Sequence, residues 1–314
     1  AEKEKLSKSR VAVAATEMIK KYGADVLRLW TASLDYGGDV PLSEEILSHV
    51  SNTYMSLRNT LRYQLANLNG FDAKHDALTV DKLLPVDQWM VGQLIPLIEG
   101  VTGAYERFDF ANAYQQISRF CQVTLSSVYH DIIKDRMYTC GARSEERRSA
   151  QTAIDITFNT LVRMLAPIMP FTADEAWCYR QTDSDFCDDS VHWHGWPKID
   201  AAWMRVYEKT KDIEQILTLK PKVNEALENM RKEKTIGKSL EAKVTFMGKV
   251  ELLERYRDSL PELFIVSQVE LKPSDADIGV ASAKAEGYKC PRCWRVVATA
   301  PDSLCERCQK TLNP

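Results

Sequence analysis

The spacing of apolar residues predicts long helices over much of the chain. From Ser43 onward they recur every three or four positions, which places them on one face of a helix with a 3.6-residue period. Ser43 is a favourable N-cap residue and Asn69-Gly70 is a favourable stop, so one helix is predicted between them. The predicted apolar face consists of Ile46, Val50, Tyr54, Leu57, Leu61, Leu65 and Leu68.

The same periodicity predicts four further helices, which complete an antiparallel bundle domain over residues 41–187. Thr172-Ala-Asp-Glu175 has the pattern of a capping box and predicts the start of a helix through Trp177. Pro96 predicts a kink in the helix that contains it. The other three predicted helices are residues 86–106, 109–134 and 144–166.

The pattern changes on both sides of this bundle. Residues 1–40 predict a charged, serine-bearing loop and two short helices at 16–22 and 24–30, which are too few residues for a domain. Residues 188–275 mix strand-like and helix-like patterns and predict a small α/β junction module. A polar stretch after Pro273 then leads to a cysteine-rich segment, residues 276–314. Within the junction module, strands are predicted at 191–196, 242–246 and 263–269, and helices at 203–234, interrupted near Pro221, and at 250–259.

Composition narrows the classes of function. With 45% hydrophobic and 27% charged residues, the 314-residue chain is globular and is neither disordered nor a coiled coil. A formal net charge of -3 offers no global basic surface, so any contact with nucleic acid has to be local. No apolar run is long enough to span a membrane, and no export signal follows the charged start. We therefore expect a cytoplasmic protein with no membrane partner.

Two cysteine pairs near the end of the sequence predict a structural zinc site. Each C-x-x-C turn can present two thiolates to a tetrahedral ion at about 2.3 Å, so two turns complete a four-sulfur site with no open position. Redox-active or incidental pairs are the alternative. The other cysteines are scattered, which favours free thiols in a reducing compartment. The predicted zinc ligands are Cys290, Cys293, Cys305 and Cys308.

Three other groups of residues are candidates for contacts with phosphate or RNA. The basic segment Lys5-Leu-Ser-Lys-Ser9 either places ammonium and hydroxyl groups on a polyphosphate or is a solvated terminus. Trp294 either stacks on an unpaired base or covers a very small core. Guanidinium groups can grip phosphates or bases, although a solvated or salt-bridged helix face is the alternative. The candidate arginines are Arg58, Arg62, Arg143, Arg147, Arg148, Arg292 and Arg295.

Seven sequence blocks occur together along essentially the whole chain. They are Ser33-Leu-Asp-Tyr-Gly-Gly-Asp39, Leu57-Arg-Asn-Thr-Leu-Arg-Tyr63, Ala66-Asn-Leu-Asn-Gly-Phe-Asp72, Asp131-Ile-Ile-Lys-Asp-Arg136, Phe171-Thr-Ala-Asp-Glu-Ala-Trp177, Ser239-Leu-Glu-Ala242 and Lys284-Ala-Glu-Gly-Tyr-Lys-Cys-Pro-Arg-Cys-Trp294. In composition and order these blocks resemble the carboxy-terminal part of the bacterial-type isoleucyl-tRNA synthetases, a family of class I aminoacyl-tRNA synthetases. The last block is more specific to this family than a zinc ribbon alone.

The resemblance implies a mainly α fold, with an anticodon-binding helical bundle, the α/β junction module and a C-terminal zinc ribbon. It also implies ATP-dependent activation of isoleucine and its transfer to tRNA(Ile). Residues 5–9 are similar to the Lys-Met-Ser-Lys-Ser loop of class I synthetases, although Leu6 stands where the family has Met. On that similarity Lys5 and Lys8 are catalytic, Lys8 contacts ATP, and Ser7 and Ser9 bind the nucleotide.

The sequence contains no His-Ile-Gly-His motif, and neither a nucleotide-binding fold nor an editing domain is recognisable. The resemblance therefore implies a tRNA-recognition fragment whose partners are tRNA(Ile) and the missing N-terminal catalytic and editing domains. We expect a monomer that binds tRNA and forms no aminoacyl adenylate on its own. The alternatives are a fragment of a valyl synthetase, which the zinc tail argues against, and a zinc-ribbon adaptor that binds protein.

Overall fold

The computed structural model describes residues 15–38, 42–182 and 187–312. The fold is mainly α-helical, as predicted, and no described helix is long and apolar enough to cross a membrane. The Lys5 to Ser9 segment lies outside the described residues. In chain order the α-helices are α1 (Ala15–Tyr22), α2 (Ala24–Ala32), α3 (Glu44–Asn67), α4 (Ala73–Asp76), α5 (Pro85–Glu106), α6 (Phe110–Arg119), α7 (His130–Thr139), α8 (Glu145–Leu165), α9 (Pro170–Thr182), α10 (Ala201–Leu217), α11 (Lys220–Lys232), α12 (Glu251–Arg255), α13 (Leu260–Leu263) and α14 (Glu306–Leu312).

The chain divides into two compact units, each assembled from three segments. Helices α5 and α8 contribute residues to both units. The first unit consists of Ala1–Gly70, Gln93–Val128 and Ile154–Asp200. The second unit consists of Phe71–Gly92, Tyr129–Ala153 and Ala201–Pro314.

In the first unit, α3 confirms the helix predicted from Ser43. The Ser43 hydroxyl accepts a hydrogen bond from the Ile46 N–H at 3.2 Å and so caps the helix. Of the predicted apolar face, Val50, Leu57, Leu61 and Leu68 are buried, and the structure adds Leu47 to them.

The capping box predicted at Thr172 is wrong, because α9 begins two residues earlier, at Pro170. The N–H of Thr172 donates instead to the carboxylate of Asp25, a buried residue of α2, at 2.7 Å. A side chain from a distant part of the sequence therefore satisfies the start of this helix. The strand predicted at residues 191–196 is also wrong, since Val191–Trp193 forms a single 3₁₀ turn.

The helix predicted over residues 109–134 contains an irregularity. Between α6 and α7, Phe120–Tyr129 forms a π-helical segment, and the helical stretch continues to Thr139. The hydroxyls of Ser126 and Ser127 donate to carbonyls five residues back, each at 2.8 Å. The wider turn of a π-helix is what brings carbonyls at that spacing within reach.

The second unit contains two small sheets. In the first, β1 (Ala242–Gly248) lies between β2 (Gln268–Pro273), which is parallel to it, and β3 (Gly279–Lys284), which is antiparallel. The strand predicted at 263–269 is largely wrong, because Leu260–Leu263 is helical and pairing begins only at Gln268. The second sheet is the hairpin of β4 (Tyr288–Lys289) and β5 (Val296–Ala298), which carries the first cysteine pair.

Candidate zinc site and RNA-contact surface

The four predicted zinc ligands come together in the second unit. The sulfur atoms of Cys290, Cys293, Cys305 and Cys308 all lie within 4.8 Å of one another, and all four residues are buried. The Sγ atoms of Cys293 and Cys305 are 3.8 Å apart. A tetrahedral ion with sulfur ligands at about 2.3 Å requires sulfur separations of about 3.8 Å. The cluster therefore fits one four-coordinate zinc ion.

Backbone groups of the cysteine turns favour the thiolate form of the first ligand. The N–H of Cys305 donates to the Sγ of Cys290 at 3.4 Å. Burial alone would raise the pKa of the Cys290 thiol, but the N–H groups of Cys293, Cys305 and Arg292 outweigh burial and lower that pKa to about 6. Burial instead raises the pKa of Cys293 and Cys305, so Cys290 is the most readily deprotonated of these three thiols. The buried cluster around these sulfurs otherwise includes only Ala298, with Leu304 packed against it, among the described residues.

Trp294 follows Cys293, the second predicted zinc ligand, and exposes its aromatic ring to the solvent. Its side chain is 53% exposed, so it does not act as the lid of a small core. Its φ of 65° lies in the left-handed region, which costs free energy in a residue that is not glycine. Lys238 places its Nζ 4.6 Å from the centroid of the indole ring. The strained backbone thus holds an exposed aromatic face beside a cation.

Other exposed lysines lie near the turn that carries Lys238. The turn that carries Lys238 is held by Glu241, whose carboxylate accepts hydrogen bonds from the N–H groups of Gly237 at 2.8 Å and Lys238 at 3.4 Å. The Gly237 hydrogen bond lowers the pKa of Glu241, and the nearby charges of Lys289 and Lys284 contribute. We call the exposed set Lys238, Lys284, Tyr288, Lys289 and Trp294 the Trp294 surface.

Sequence reasoning selected Trp294 and the basic character of the tail that includes Lys284 and Lys289, but it did not single out Lys238 or Tyr288. Lys238 lies 56 positions before Trp294 in the sequence, and Tyr288 is one tyrosine among twelve. Only the alternation of lysines with aromatic residues around the first cysteine pair could have drawn attention to them. Interleaved cations and aromatic rings are the arrangement that single-stranded RNA binds, because rings stack on bases while cations meet phosphates.

The candidate arginines lie in different environments. Arg58 makes two hydrogen bonds to Glu175, at 2.9 and 3.1 Å, and both side chains are partly exposed. Arg148 pairs with Asp76 at 3.1 Å, and Arg147 is half-buried. Arg62 and Arg143 are exposed and have no ion-pair partner within the part of the chain that the structure describes. Arg292 and Arg295 donate to backbone carbonyls, those of Thr139 and Ser267.

The expectation that every cysteine outside the zinc cluster is a free thiol is wrong for one pair. Cys178 and Cys187 form a disulfide, with Cα atoms 5.3 Å apart. Cys121 and Cys140 are buried free thiols. Burial raises the pKa of Cys121 to about 12, so this thiol is protonated and inert at neutral pH.

Comparison with known protein families matches residues 87–246, about half of the chain, to the anticodon-binding domain of tRNA ligases. The chain belongs to this family. The match runs from α5 into β1, so the anticodon-binding domain as matched ends before the four cysteines.

Individual relatives extend this similarity to nearly the whole chain. The isoleucine–tRNA ligase of Syntrophotalea carbinolica is 40% identical over 96% of this chain and 34% of its own length. That of Natranaerobius thermophilus is 39% identical over 99% of this chain and 36% of its own length. That of Methylacidiphilum infernorum is 41% identical over 98% of this chain and 34% of its own length. This anticodon-binding chain therefore spans about a third of the length of the curated relatives it matches.

Among solved structures, the ternary complex of LeuRS with tRNA and LeuAMS from Agrobacterium radiobacter K84 matches 88% of this chain and 31% of its own chain. The sequence identity is 16% and the TM-score is 0.48.

Proposed function

We propose that this chain is the tRNA-binding part of an isoleucine–tRNA ligase and that it binds tRNA(Ile). The observation that carries the proposal is the similarity to isoleucine–tRNA ligases, which extends beyond the anticodon-binding match through the cysteine-rich segment. The parent enzyme would activate isoleucine with ATP and esterify tRNA in the cytoplasm. In that complete enzyme Lys5 and Lys8 would be catalytic, Lys8 would contact ATP, and Ser7 and Ser9 would bind the nucleotide.

The Trp294 surface suits unpaired nucleotides of the RNA. In the proposed complex the indole ring stacks on one base, and the ammonium groups of Lys238, Lys284 and Lys289 meet phosphates. Arg62 and Arg143 can meet RNA without first breaking an ion pair within the described residues. Arg58 and Arg148 would have to exchange a carboxylate partner for a phosphate, which reduces the net gain from such a contact.

Zinc would have a structural role in this function. The four thiolates leave no coordination position for a substrate, and the ion would hold the two C-x-x-C turns together. Because Trp294 directly follows Cys293 in the hairpin that carries the first cysteine pair, the ion would fix the position of the stacking ring.

We expect the chain by itself to bind tRNA(Ile) and to form no isoleucyl adenylate. Lysines of the loop at residues 5–9 can accelerate adenylate formation only if a nucleotide-binding fold orients them. Filter binding to a tRNA(Ile) transcript at two salt concentrations measures the first part, and phosphate contacts impose a steep decrease of affinity with salt. Isoleucine-dependent pyrophosphate exchange, compared with a boiled sample, measures the second part. Exchange above that control would contradict the expectation, and absence of RNA binding would favour the protein-binding adaptor.

Trp294→Ala is expected to weaken tRNA binding by about 1–3 kcal/mol, since it removes one base-stacking ring. The dependence of affinity on salt should stay the same, because the indole neutralises no phosphate. Trp193→Ala is the matched control: that tryptophan is also exposed, at 74%, but it lies in the first unit, and its loss should leave the affinity for tRNA unchanged. Equal affinities for wild type and Trp294→Ala, with zinc content intact, would show that the ring does not meet RNA.

Lys238→Ala and Arg295→Ala are each expected to flatten the salt dependence by about one unit of slope, the effect of losing one phosphate contact. Both variants should weaken binding to all RNA sequences alike, unlike a change in base recognition. Affinities measured at four salt concentrations give the slope. If a variant has the same slope of affinity against salt concentration as the wild type, the substituted residue does not contact a phosphate.

A further inference from the structure

Each C-x-x-C pair carries an arginine immediately before its second cysteine. These residues are Arg292, in Cys290-Pro-Arg-Cys293, and Arg307, in Cys305-Glu-Arg-Cys308. Both guanidinium groups reach the same place, the last turn of α7. Because Arg292 and Arg307 stand between zinc ligands, their positions are determined by the conformation of the two cysteine turns.

Arg307 makes the more extensive contact. Its guanidinium donates to both carboxylate oxygens of Asp135, at 2.6 and 2.9 Å, and to the Thr139 hydroxyl at 2.9 Å. The exposed fractions of the Arg307 and Asp135 side chains are 34% and 24%, so water screens this pair only in part. A fork-shaped pair of charge-assisted hydrogen bonds of this kind is among the stronger polar contacts in proteins.

Arg292 connects α7 directly to a zinc ligand. Its Nη1 donates to the backbone carbonyl of Thr139, the last residue of α7, and lies 3.5 Å from the Sγ of Cys308. The carbonyl end of a helix carries partial negative charge, and four thiolates around a divalent ion leave about two negative charges. One guanidinium thus faces two negative groups, one in the zinc site and one at the helix end.

The contact continues past the end of the helix. A Cβ atom placed on Gly141 would lie 3.8 Å from the Thr311 side chain of α14, so Gly141 lies beside the helix that carries Cys308. This segment leads to Ser144, whose hydroxyl accepts from the Arg147 N–H and caps α8. The exposed Arg143 lies within it.

We propose that Arg292 and Arg307 couple zinc binding to the order of α7 and of the segment that carries Arg143. Zinc fixes the two cysteine turns, the turns aim the two guanidinium groups, and these groups hold Asp135 and Thr139. The buried cluster around the four sulfurs has few apolar members among the described residues, so the turns depend on the ion for their shape. Coupling of this kind is reciprocal. Asp135, which lies in a helix 155 positions before the first ligand, therefore strengthens the retention of zinc.

The reciprocal effect is measured by zinc affinity, determined by competition with a chromophoric chelator. Asp135→Asn keeps the shape of the side chain but removes its charge, and Arg307→Lys keeps the charge but loses the fork of donors. We expect each variant to bind zinc about 10-fold more weakly than the wild type, within the range usual for coupling between two sites. Lys310→Ala is the control, because Lys310 pairs with Glu306 on the exposed face of α14. Its affinity should stay within twofold of the wild type.

The direct effect is measured without any substitution, by amide hydrogen exchange of the wild-type chain before and after zinc is removed. We expect exchange over residues 135–143 to become at least 10-fold faster after removal, while exchange in the middle of α3 is unchanged. Wild-type zinc affinity in both Asp135→Asn and Arg307→Lys would overturn the proposal. Unchanged exchange at the end of α7 after zinc removal, or a wild-type chain that binds no zinc, would overturn it as well, and neither result depends on a variant that folds.

Discussion

Cys305→Ser is expected to abolish stoichiometric zinc binding and to unfold the segment from Tyr288 to α14. Zinc binding contributes about 10–16 kcal/mol to the folding of small four-ligand sites at neutral pH, and loss of one thiolate removes much of it. The terminal segment has little else to hold it, because its buried cluster consists of the four cysteines and Ala298, with Leu304 against it, among the described residues. The helices of the first unit should keep their structure, since their core consists of apolar side chains.

Elemental analysis of chain purified without chelator gives the zinc content, expected at one equivalent for the wild type. Amide hydrogen exchange over residues 288–312 reports the unfolding. The matched control is Cys187→Ser, because Cys187 lies in the first unit and should leave the zinc content at one equivalent. Less than about half an equivalent in the wild type, or full zinc in Cys305→Ser, would contradict the four-thiolate site.

Arg136→Met is expected to lower the free energy of unfolding of the second unit by about 3–5 kcal/mol. Arg136 is 4% exposed and donates to both carboxylate oxygens of Asp87, at 2.8 and 3.0 Å, and it also pairs with Glu262 at 2.5 Å. Asp87 is fully buried and accepts two further hydrogen bonds, from Tyr129 and Ser149. Methionine fills the space of the arginine but leaves the buried carboxylate without its counter-charge.

Equilibrium urea denaturation followed by circular dichroism measures this loss. Arg257→Met is the matched control, because Arg257 pairs with Glu254 on an exposed surface, where such pairs contribute at most about 1 kcal/mol. The double variant Asp87→Leu, Arg136→Met should recover part of the lost stability, since it removes both charges together. A loss similar to that of Arg257→Met would contradict a dominant role for the Arg136 cluster.

Arg136 and Arg292 show that the sequence did not predict which groups an arginine side chain contacts in this protein. Arg136 stands in one of the blocks that resemble the synthetase family, but nothing in that block indicates that its partners are Asp87 and Glu262. Arg292 was a candidate for RNA binding, and the structure places its guanidinium on α7. A guanidinium suits a phosphate, a carboxylate and a helix end equally well, so residue type alone does not select among them.

The local spacing of apolar residues and of cysteines was enough to predict several features of this protein before its structure was known. The helical stripe of α3, the cap at Ser43 and the cysteine cluster followed from residues close together in sequence. The family followed from short local blocks and from their order along the chain. Tertiary structure alone decided the start of α9 at a carboxylate of α2, the pairing of Cys178 with Cys187 and the position of Lys238 beside Trp294. The physical reason is that caps, disulfides and ring contacts act over a few ångströms in space, and the chain brings together residues whose separation in sequence carries no signal.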